Sequence, residues 1–308
     1  MTEALNKELN FNIRVPDVIA HRGFSAENPE NTLISYENAV KAGTTALEGD
    51  IRLSKDKEIV MMHDLTLNRT STGLGPVSES NWHGQIDGYT TKSEPHQPIP
   101  RFIDVLELLI QPEAAAIDGL YMIVDIKYDN AIEILDVLSE LLKTYTTQHP
   151  KLFDQLVIGI WNVDFLTRAK TLFPQFKLCF IGLSLSAARH HFLDQVDCLS
   201  LPFAALAGGD GQELIKDAHA RNKRVFTWTI NDPLQMKTCV LWQVDGVIGD
   251  NVLVLLENVH HAPKALNGPE EYQQFVASDT YLASKRRRAY LYLVTKVMHF
   301  ASWKVIGV

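Results

Sequence analysis

The sequence is poor in cysteine. Its three cysteines, Cys179, Cys198 and Cys239, are far apart, and each lies in an apolar run. So few and so scattered thiols exclude a disulfide framework and a zinc cluster, and we expect all three to be buried and free. Basic residues are also in the minority, with 29 Lys and Arg against 37 Asp and Glu. The resulting net charge of -8 argues against nucleic acid as the main partner, because phosphate backbones bind basic surfaces.

Two further signals are missing. No glycine-rich fingerprint follows the first predicted strand, which disfavours a dinucleotide-binding fold. The first 17 residues have neither the apolar stretch of a secretory signal nor the Arg and Ser enrichment of a mitochondrial transit peptide. We therefore expect a protein that works on the cytosolic side of membranes and is not secreted.

The sequence does contain a repeated alternation of short apolar runs and helical patterns. Continuous apolar runs of strand length are typical of parallel strands that are buried on both faces. They predict strands at 17–20, 46–50, 122–126, 156–160, 178–183, 198–202, 225–230 and 246–249. Helices are predicted at 32–42, 103–110, 131–145, 163–172, 185–193, 211–222 and 233–243. This order predicts an α/β protein with a closed (β/α)8 TIM barrel, and an open doubly wound sheet is the alternative.

One segment interrupts the alternation with a hairpin. The second strand continues to residue 53, SKDKE forms a turn, and residues 58–63 return. If the hairpin folds about Asp56, the numbers of facing residues sum to about 112. Asp50 then faces about Met62 and Glu48 faces about Asp64, which places His63 beside two carboxylates.

The remaining segments suggest how the chain is divided. Residues 65–101 are polar, and loops of that length in compact domains are usually functional. We predict a barrel domain over 1–259 that contains this insertion, a linker over 260–284 and a tail over 285–308.

Ionisable residues stand at the ends of several predicted strands. His21 ends the first strand, Glu48 and Asp50 end the second, and Asp125 ends the third. In a barrel these carboxyl ends converge on one rim, where active sites lie. Three carboxylates at one rim repel one another unless a cation neutralises them, and the pattern predicts one Mg²⁺ or Ca²⁺. For Asp125 the alternative is an ion pair with Lys127.

The strand-end histidines predict acid–base chemistry. His21 and His63 titrate near neutral pH, so the two rings can share the proton transfers of a phosphodiester cleavage. Arg22 and Lys127 supply fixed positive charge for a phosphate. Together with a metal, these residues predict a phosphodiester hydrolase.

The ordered motifs HRG…PENT, E-x-D, HD, and WTIND followed by DGVIGD resemble those of the glycerophosphodiester phosphodiesterase family over residues 16–256. The resemblance implies a metal-dependent TIM barrel that uses His21 and His63 as its catalytic pair. The other residues that it implies are the metal ligands Glu48, Asp50 and Asp125, the phosphate contacts Arg22 and Lys127, and Trp228 in the substrate pocket. Glu30 and Asn31 would support the site, and capping of the first helix is their alternative role. The family usually has Glu at the position of Asp125, which leaves the metal identity open.

The C-terminal segment carries a second signal. A basic cluster at 285–288 precedes the run AYLYLVTKVMHFASWKVIGV. A helical wheel predicts one apolar face, made of Tyr290, Val294, Val297, Met298, Ala301, Val305 and Val308. Lys296, His299 and Lys304 disfavour a membrane span. The basic cluster beside an aromatic amphipathic helix predicts peripheral attachment to an anionic membrane or a lipid droplet, and a helix packed on the barrel is the alternative.

The tail and a second resemblance both bear on the identity of the substrate. The segment WNVDFLTRAKTLFPQFKLCFIG is similar to the fungal branch of the family that acts as a phosphatidylglycerol-specific phospholipase C. That resemblance implies cleavage of phosphatidylglycerol into diacylglycerol and glycerol phosphate. One alternative is release of glycerol 3-phosphate from deacylated phospholipids by a soluble-substrate enzyme. A second alternative is an inactive barrel that binds lipid headgroups.

Overall fold

A computed structural model describes residues 14–264, 266, 269–278 and 280–306 of the chain. Within them, the strands are β1 (Asp17–His21), β2 (Ala46–Leu53), β3 (Ile59–Met61), β4 (Tyr121–Ile126), β5 (Leu156–Ile160), β6 (Lys177–Ile181), β7 (Cys198–Pro202), β8 (Arg224–Trp228) and β9 (Gly246–Gly249). The eight strands other than β3 pair in parallel, and β1 pairs with both β2 and β9. The sheet is therefore closed, which confirms the (β/α)8 barrel and excludes the open sheet.

Helices follow the strands around the barrel. Their bounds are Leu33–Ala42, Phe102–Leu109, Pro112–Ala115, Ile134–Gln148, Leu152–Gln155, Val163–Leu172, Leu185–Ala187, Phe203–Leu206, Gly209–Ala220, Pro233–Leu241, Val252–Leu255, Ala262–Lys264, Pro269–Ala277 and Lys285–Ile306. Two π-helical segments, Ala188–Phe192 and Leu256–His261, continue the helices before them. Residues 1–13, in which the sequence predicts no secretory signal, lie outside the described residues.

The first helix is capped differently from the prediction. Its N-cap is Thr32, whose side chain accepts a hydrogen bond from the backbone N–H of Ser35. Asn31 does not cap the helix, because its backbone is left-handed, with a φ of 58°. The Asn31 side chain points to the barrel rim instead, so the capping alternative for this residue is wrong.

The core consists of two main layers. A barrel-interior cluster includes Ile19, Ile123, Val157, Phe226 and Ile248, and a larger cluster lies between the strands and the surrounding helices. Cys179, Cys198 and Cys239 are free thiols buried in the core, as the sequence predicted. The interior cluster fills the barrel below the rim, so the space that remains is at the carboxyl ends of the strands.

The hairpin has the predicted register. β2 and β3 are antiparallel with Ile51 opposite Met61, and the backbone N–H of Met62 donates to the carbonyl oxygen of Asp50 at 3.0 Å. The insertion that follows has a small core of its own, made of Val60, Met62, Leu67, Val77, Trp82, Ile86 and Ile99. The insertion is therefore a packed structure on the hairpin, although it consists mainly of loops.

The C-terminal region is helical. The expected boundary at Val259 lies inside a π-helical segment, and the expected linker contains the helix Pro269–Ala277. The last helix, Lys285–Ile306, packs one face on the barrel, with Leu291 buried and Val294 and Met298 against the main core.

That packing corrects the helical wheel. Tyr290 is 62% exposed and Val297 is 70% exposed, although both were placed on the apolar face with Val294 and Met298. The side chains of Ala301 and Val308 lie outside the described residues. No helix in the described part of the chain is long and apolar enough to cross a membrane.

Candidate active site

Strand pairing brings the predicted site residues together at one rim. His21 at the end of β1 is opposite Glu48 on β2, and Asp50 on β2 is opposite Asp125 on β4. Parallel register therefore places a histidine and three carboxylates on three neighbouring strands. The hairpin places His63 at the same rim, beside these residues.

The three carboxylates form a buried acidic triad. Glu48, Asp50 and Asp125 are 5%, 0% and 4% exposed, and one oxygen from each lies within 4.8 Å of the others. Burial and the neighbouring charge of Asp50 raise the pKa of Glu48 to about 7. Three carboxylates are thus concentrated in a buried part of the rim.

Hydrogen bonds fix the orientation of Asp50. The side-chain amide of Asn31 donates to Asp50 Oδ2 at 2.8 Å, and Asn31 Oδ1 accepts from the backbone N–H of Asp50 at 3.1 Å. The hydroxyl of Tyr36 donates to the same Asn31 oxygen at 2.8 Å. Although burial opposes it, the charges of Lys127 and Arg22 hold the pKa of Asp50 well below its usual range. Asn31 is therefore a support of the triad.

Asp125 is held from two sides. Lys127 Nζ lies 2.7 Å from Asp125 Oδ2 and 2.8 Å from Asp50 Oδ1, so the ion pair considered for Asp125 is present and is shared with Asp50. The indole N–H of Trp161 donates to Asp125 Oδ1 at 2.7 Å. Lys127 also lies 5.4 Å from the centre of the Trp161 ring, so the three side chains form one packed unit.

The His21 ring is paired with a carboxylate that directly follows the last barrel strand, β9. Its Nδ1 lies 2.6 Å from Asp250 Oδ1. Asp250 is fixed in turn by Asn231, whose amide donates at 2.5 Å, and by the Ser25 hydroxyl, which donates at 3.2 Å. Such a pairing sets the orientation of the ring and leaves Nε2 for a substrate.

His63 is held in an equivalent way by its neighbour. Its Nδ1 lies 2.7 Å from Asp64 Oδ1, and Arg69 in the insertion donates to both oxygens of Asp64, at 2.6 and 3.0 Å. Arg69 also forms a two-bond pair with Glu30, with both distances 2.8 Å. Arg69 therefore ties the insertion, the first loop and the hairpin to one another.

Arg22 connects these groups to the triad. Its guanidinium donates to Glu30 at 2.8 Å, and its Nε lies 3.2 Å from Asp50 Oδ2. Its backbone N–H donates to Glu48 Oε2 at 3.0 Å, which a left-handed φ of 57° allows. Glu30 thus supports the site by holding Arg22, and it does not cap the first helix.

The two histidines have pKa values that are displaced in opposite directions. Burial favours the neutral ring of His21, but the hydrogen bond with Asp250 and the charge of Glu48 hold its pKa above the ordinary value. Burial and the charge of Lys127 hold the pKa of His63 below the ordinary value, although Asp50 opposes this. Between the two pKa values one ring carries a proton and the other does not.

A cavity opens above these residues. It is lined by His21, Arg22, Glu48, His63, Ile123, Asp125, Lys127, Trp161, Ile181, Ser200, Trp228, Thr229 and Ile248. Trp228 lies on the opposite side of the cavity from the hairpin, edge-on to Trp161 with ring centres 6.2 Å apart. The cavity thus combines acid–base, cationic and aromatic side chains.

Sequence reasoning did not single out four residues of this site. Asp250 and Asp64 each pair with a histidine, and both follow strands, which is a signal that sequence offers. Trp161 directly follows β5 and offers the same signal. Arg69 lies in the insertion, and nothing in its local pattern points to Asp64 and Glu30.

The acidic triad suits a divalent cation. Its donors are carboxylate oxygens, which Mg²⁺ and Ca²⁺ both prefer. Burial and the like charge of Asp50 raise the pKa of Glu48, and a bound cation would offset that repulsion. Glu48, Asp50 and Asp125 are the residues that would hold the ion.

Two carboxylate-paired histidines and two largely buried cations at one rim of a closed barrel suit a phosphodiester hydrolase. A family model described as the glycerophosphoryl diester phosphodiesterase family matches residues 21–254. The chain belongs to this family. A glycerophosphodiester phosphodiesterase from Bacillus altitudinis is 25% identical over 237 residues, which cover 76% of this chain and 94% of the relative.

Other relatives match in part or in fold. A lysophospholipase D from Mus musculus is 34% identical over 136 residues, which cover 42% of each chain. A phosphodiesterase structure from Oleispira antarctica, in complex with the product sn-glycerol-3-phosphate, has a TM-score of 0.64 at 22% identity. That match covers 80% of this chain and 97% of the other, and it supports the fold.

Proposed function

We propose that this chain hydrolyses glycerophosphodiesters to glycerol 3-phosphate and an alcohol, with one Mg²⁺ or Ca²⁺. The observation that carries the proposal is the cavity that His21 and His63 share with Arg22 and Lys127. The name of the Bacillus relative and the product bound to the Oleispira neighbour support this substrate class.

Substrate binding follows from the charges of the cavity. Arg22 and Lys127 are largely buried cations, and a phosphodiester anion is attracted to both. Burial opposes the charge of Lys127, but Asp125 and Asp50 raise its pKa, so it stays protonated. Trp228 offers an aromatic face to the carbon atoms of the glycerol.

The proton transfers require one neutral and one protonated imidazole. One ring accepts a proton from the attacking water as the new P–O bond forms, and the other donates a proton to the alcohol oxygen as the old P–O bond breaks. The opposite displacement of the two pKa values supplies that combination. A divalent cation held by the triad would add positive charge where negative charge develops on the phosphate.

The test is an assay of the full chain on glycerophosphoglycerol with Mg²⁺ or Ca²⁺, with release of glycerol 3-phosphate as the readout. We expect turnover that EDTA abolishes, and loss of turnover in Glu48→Gln. Glu79→Gln, at an exposed position in the insertion, is the matched control and should keep full activity. No turnover with either ion, at any pH between 5 and 9, would refute the proposal and would favour an inactive headgroup-binding barrel.

A second candidate is the phospholipase C reaction on phosphatidylglycerol, with the last helix bound to the cytosolic face of a membrane or lipid droplet. The observation that favours it is the exposed surface of that helix. Tyr290, Leu293 and Val297 are 62%, 64% and 70% exposed, and the same helix carries the exposed basic residues Arg286 and Lys296. Apolar and basic side chains on one solvent-facing surface are typical of interfacial helices. The lysophospholipase D relative is itself named for a lipid substrate.

Flotation with phosphatidylglycerol vesicles tests this attachment. Truncation of the helix would uncover Leu291, so substitution of the exposed side chains is the cleaner experiment. We expect Tyr290, Leu293 and Val297, changed together to Ser, to abolish flotation. The control changes Leu74 and Leu253, which are 70% and 57% exposed elsewhere, to Ser. Equal flotation of the two variants would refute attachment through this helix.

A further inference from the structure

The two sides of the cavity differ in chemistry. Every charged side chain that lines it comes from β1, β2, β4, the hairpin or the residues just after them. On the other side Trp161 directly follows β5, and β6 and β8 end in Ile181 and Trp228. Ser200 and Thr229 are the polar residues of the described lining on that side. A phosphate bound by Arg22 and Lys127 therefore directs one of its two substituents toward an apolar surface.

The C-terminal helix crosses the rim on that side. The hydroxyl of Thr295 donates to the carbonyl oxygen of Ala204, in the short helix that directly follows β7. Ten residues further on, about 15 Å along the helix axis, Val305 packs against the barrel-interior cluster together with Leu183 and Trp228. Trp161, Ile181 and Trp228, which line the cavity, belong to this cluster or pack on it, so the end of the helix lies beside the apolar side of the cavity.

We propose that the C-terminal helix completes the substrate site with an apolar wall, made of Trp161, Ile181, Leu183, Trp228 and Val305, that binds the acyl-bearing part of a phosphodiester. The inference rests on the proposed phosphodiesterase function and specifies its substrate class. Burial of acyl methylenes against this wall removes apolar surface from water and stabilises the bound acylated substrate. A deacylated substrate places only the few carbon atoms of a glycerol there, against Trp228, and it gains less from the wall than an acylated one.

Two roles of the helix must be separated. Membrane attachment uses its exposed side chains, such as Val297, whereas the wall uses Val305 on the packed side. A short-chain phosphatidylglycerol below its aggregation concentration presents acyl groups without a membrane. Selectivity for this compound over glycerophosphoglycerol therefore measures the wall alone.

The experiment compares kcat/KM for these two soluble substrates in the full chain. We expect the wild-type chain to prefer the acylated compound, and Val305→Asp to lower kcat/KM for that compound by about tenfold while it changes the value for glycerophosphoglycerol less than about twofold. Val297→Asp, on the exposed side of the same helix, is the matched control and should change neither value. Leu183→Asn, on the barrel side of the wall, should reproduce the selective loss if Val305→Asp disturbs folding of the helix.

Each contrary result has a distinct meaning. Wild-type turnover of glycerophosphoglycerol without turnover of the acylated compound would overturn the wall and leave the proposed function intact. Turnover of neither substrate would refute both proposals. An equal loss on both substrates in Leu183→Asn and Val305→Asp, or no loss on either, would overturn the wall, because selectivity would then not depend on these residues.

Discussion

The charged and apolar sides of the barrel mouth are built in the same way, from residues at the carboxyl ends of parallel strands, but they are held differently. On the charged side each functional group has a fixed partner, such as Asp250 for His21 and Asn31 for Asp50. On the apolar side Ile181 and Leu183 are positioned by packing. The difference teaches that changes on the charged side should affect the reaction itself, whereas changes on the apolar side should affect the choice of substrate.

The strongest test of this comparison removes one imidazole. His21→Ala takes away one of the two proton-transfer groups, and we expect kcat/KM on glycerophosphoglycerol to fall by about 10² to 10⁴. The loss should be the same for acylated and deacylated substrates, since both need the proton. His83→Ala removes an imidazole that is 66% exposed in the insertion, and it should have no effect. A substrate-dependent loss in His21→Ala would break the division between the two sides.

A smaller effect is expected where the two sides meet. Trp161 lies on the apolar side, but its indole N–H fixes Asp125 at 2.7 Å. Trp161→Phe keeps an aromatic ring and removes the donor, so we expect affinity for Mg²⁺ or Ca²⁺ to fall by about tenfold in a calorimetric titration. Trp242→Phe, where the ring stacks on Phe203 away from the cavity, is the control. Unchanged affinity for the metal ion in Trp161→Phe would show that the indole N–H does not support the metal site and that Trp161 serves the apolar side alone.

The smallest effect concerns the pH dependence of stability. Hydrogen bonds from Arg69 lower the pKa of Asp64 to about 2. Because the folded-state pKa is below the ordinary value of 3.8, the stabilisation is present above about pH 4 and is lost as the pH falls through about 2. Asp64→Asn should therefore lower the free energy of unfolding at pH 7 by at most about 1 kcal/mol, since the pair is partly exposed.

Thermal unfolding at pH 7, 4 and 2 checks this prediction. The difference in Tm between the wild-type chain and Asp64→Asn should be largest at pH 7 and should disappear near pH 2. A difference that grows as the pH falls would contradict the sign of the pKa shift.

Local pattern was enough to predict the strands and the hairpin. Buried parallel strands are continuous apolar runs, and a short turn fixes the register, so Asp50 was expected opposite Met62 and is found there. The proximity of His21, Glu48 and Asp125 followed from the convergence of strand ends.

Longer-range features were not predictable in this way. The contact of Trp161 with Asp125 and that of Arg69 with Glu30 depend on which loops meet in space. The predicted packed face of the last helix was partly wrong. Apolar residues occur around most of the circumference of this helix, so a helical wheel does not select one apolar face. The contact of Thr295 with Ala204 and the burial of Leu291 show which face lies on the barrel.

The pairing of His21 with Asp250 also has a consequence for synthesis of the chain. The two residues are 229 positions apart, and they meet only when β9 closes the barrel against β1. At about 5 to 20 residues per second, a ribosome needs about 10 to 50 s to add Asp250 after His21 has been made. Throughout that interval the nascent chain contains His21 without its carboxylate partner. The hydrolytic centre is therefore completed only after Asp250 has been made, and incomplete chains that stop before this residue lack it.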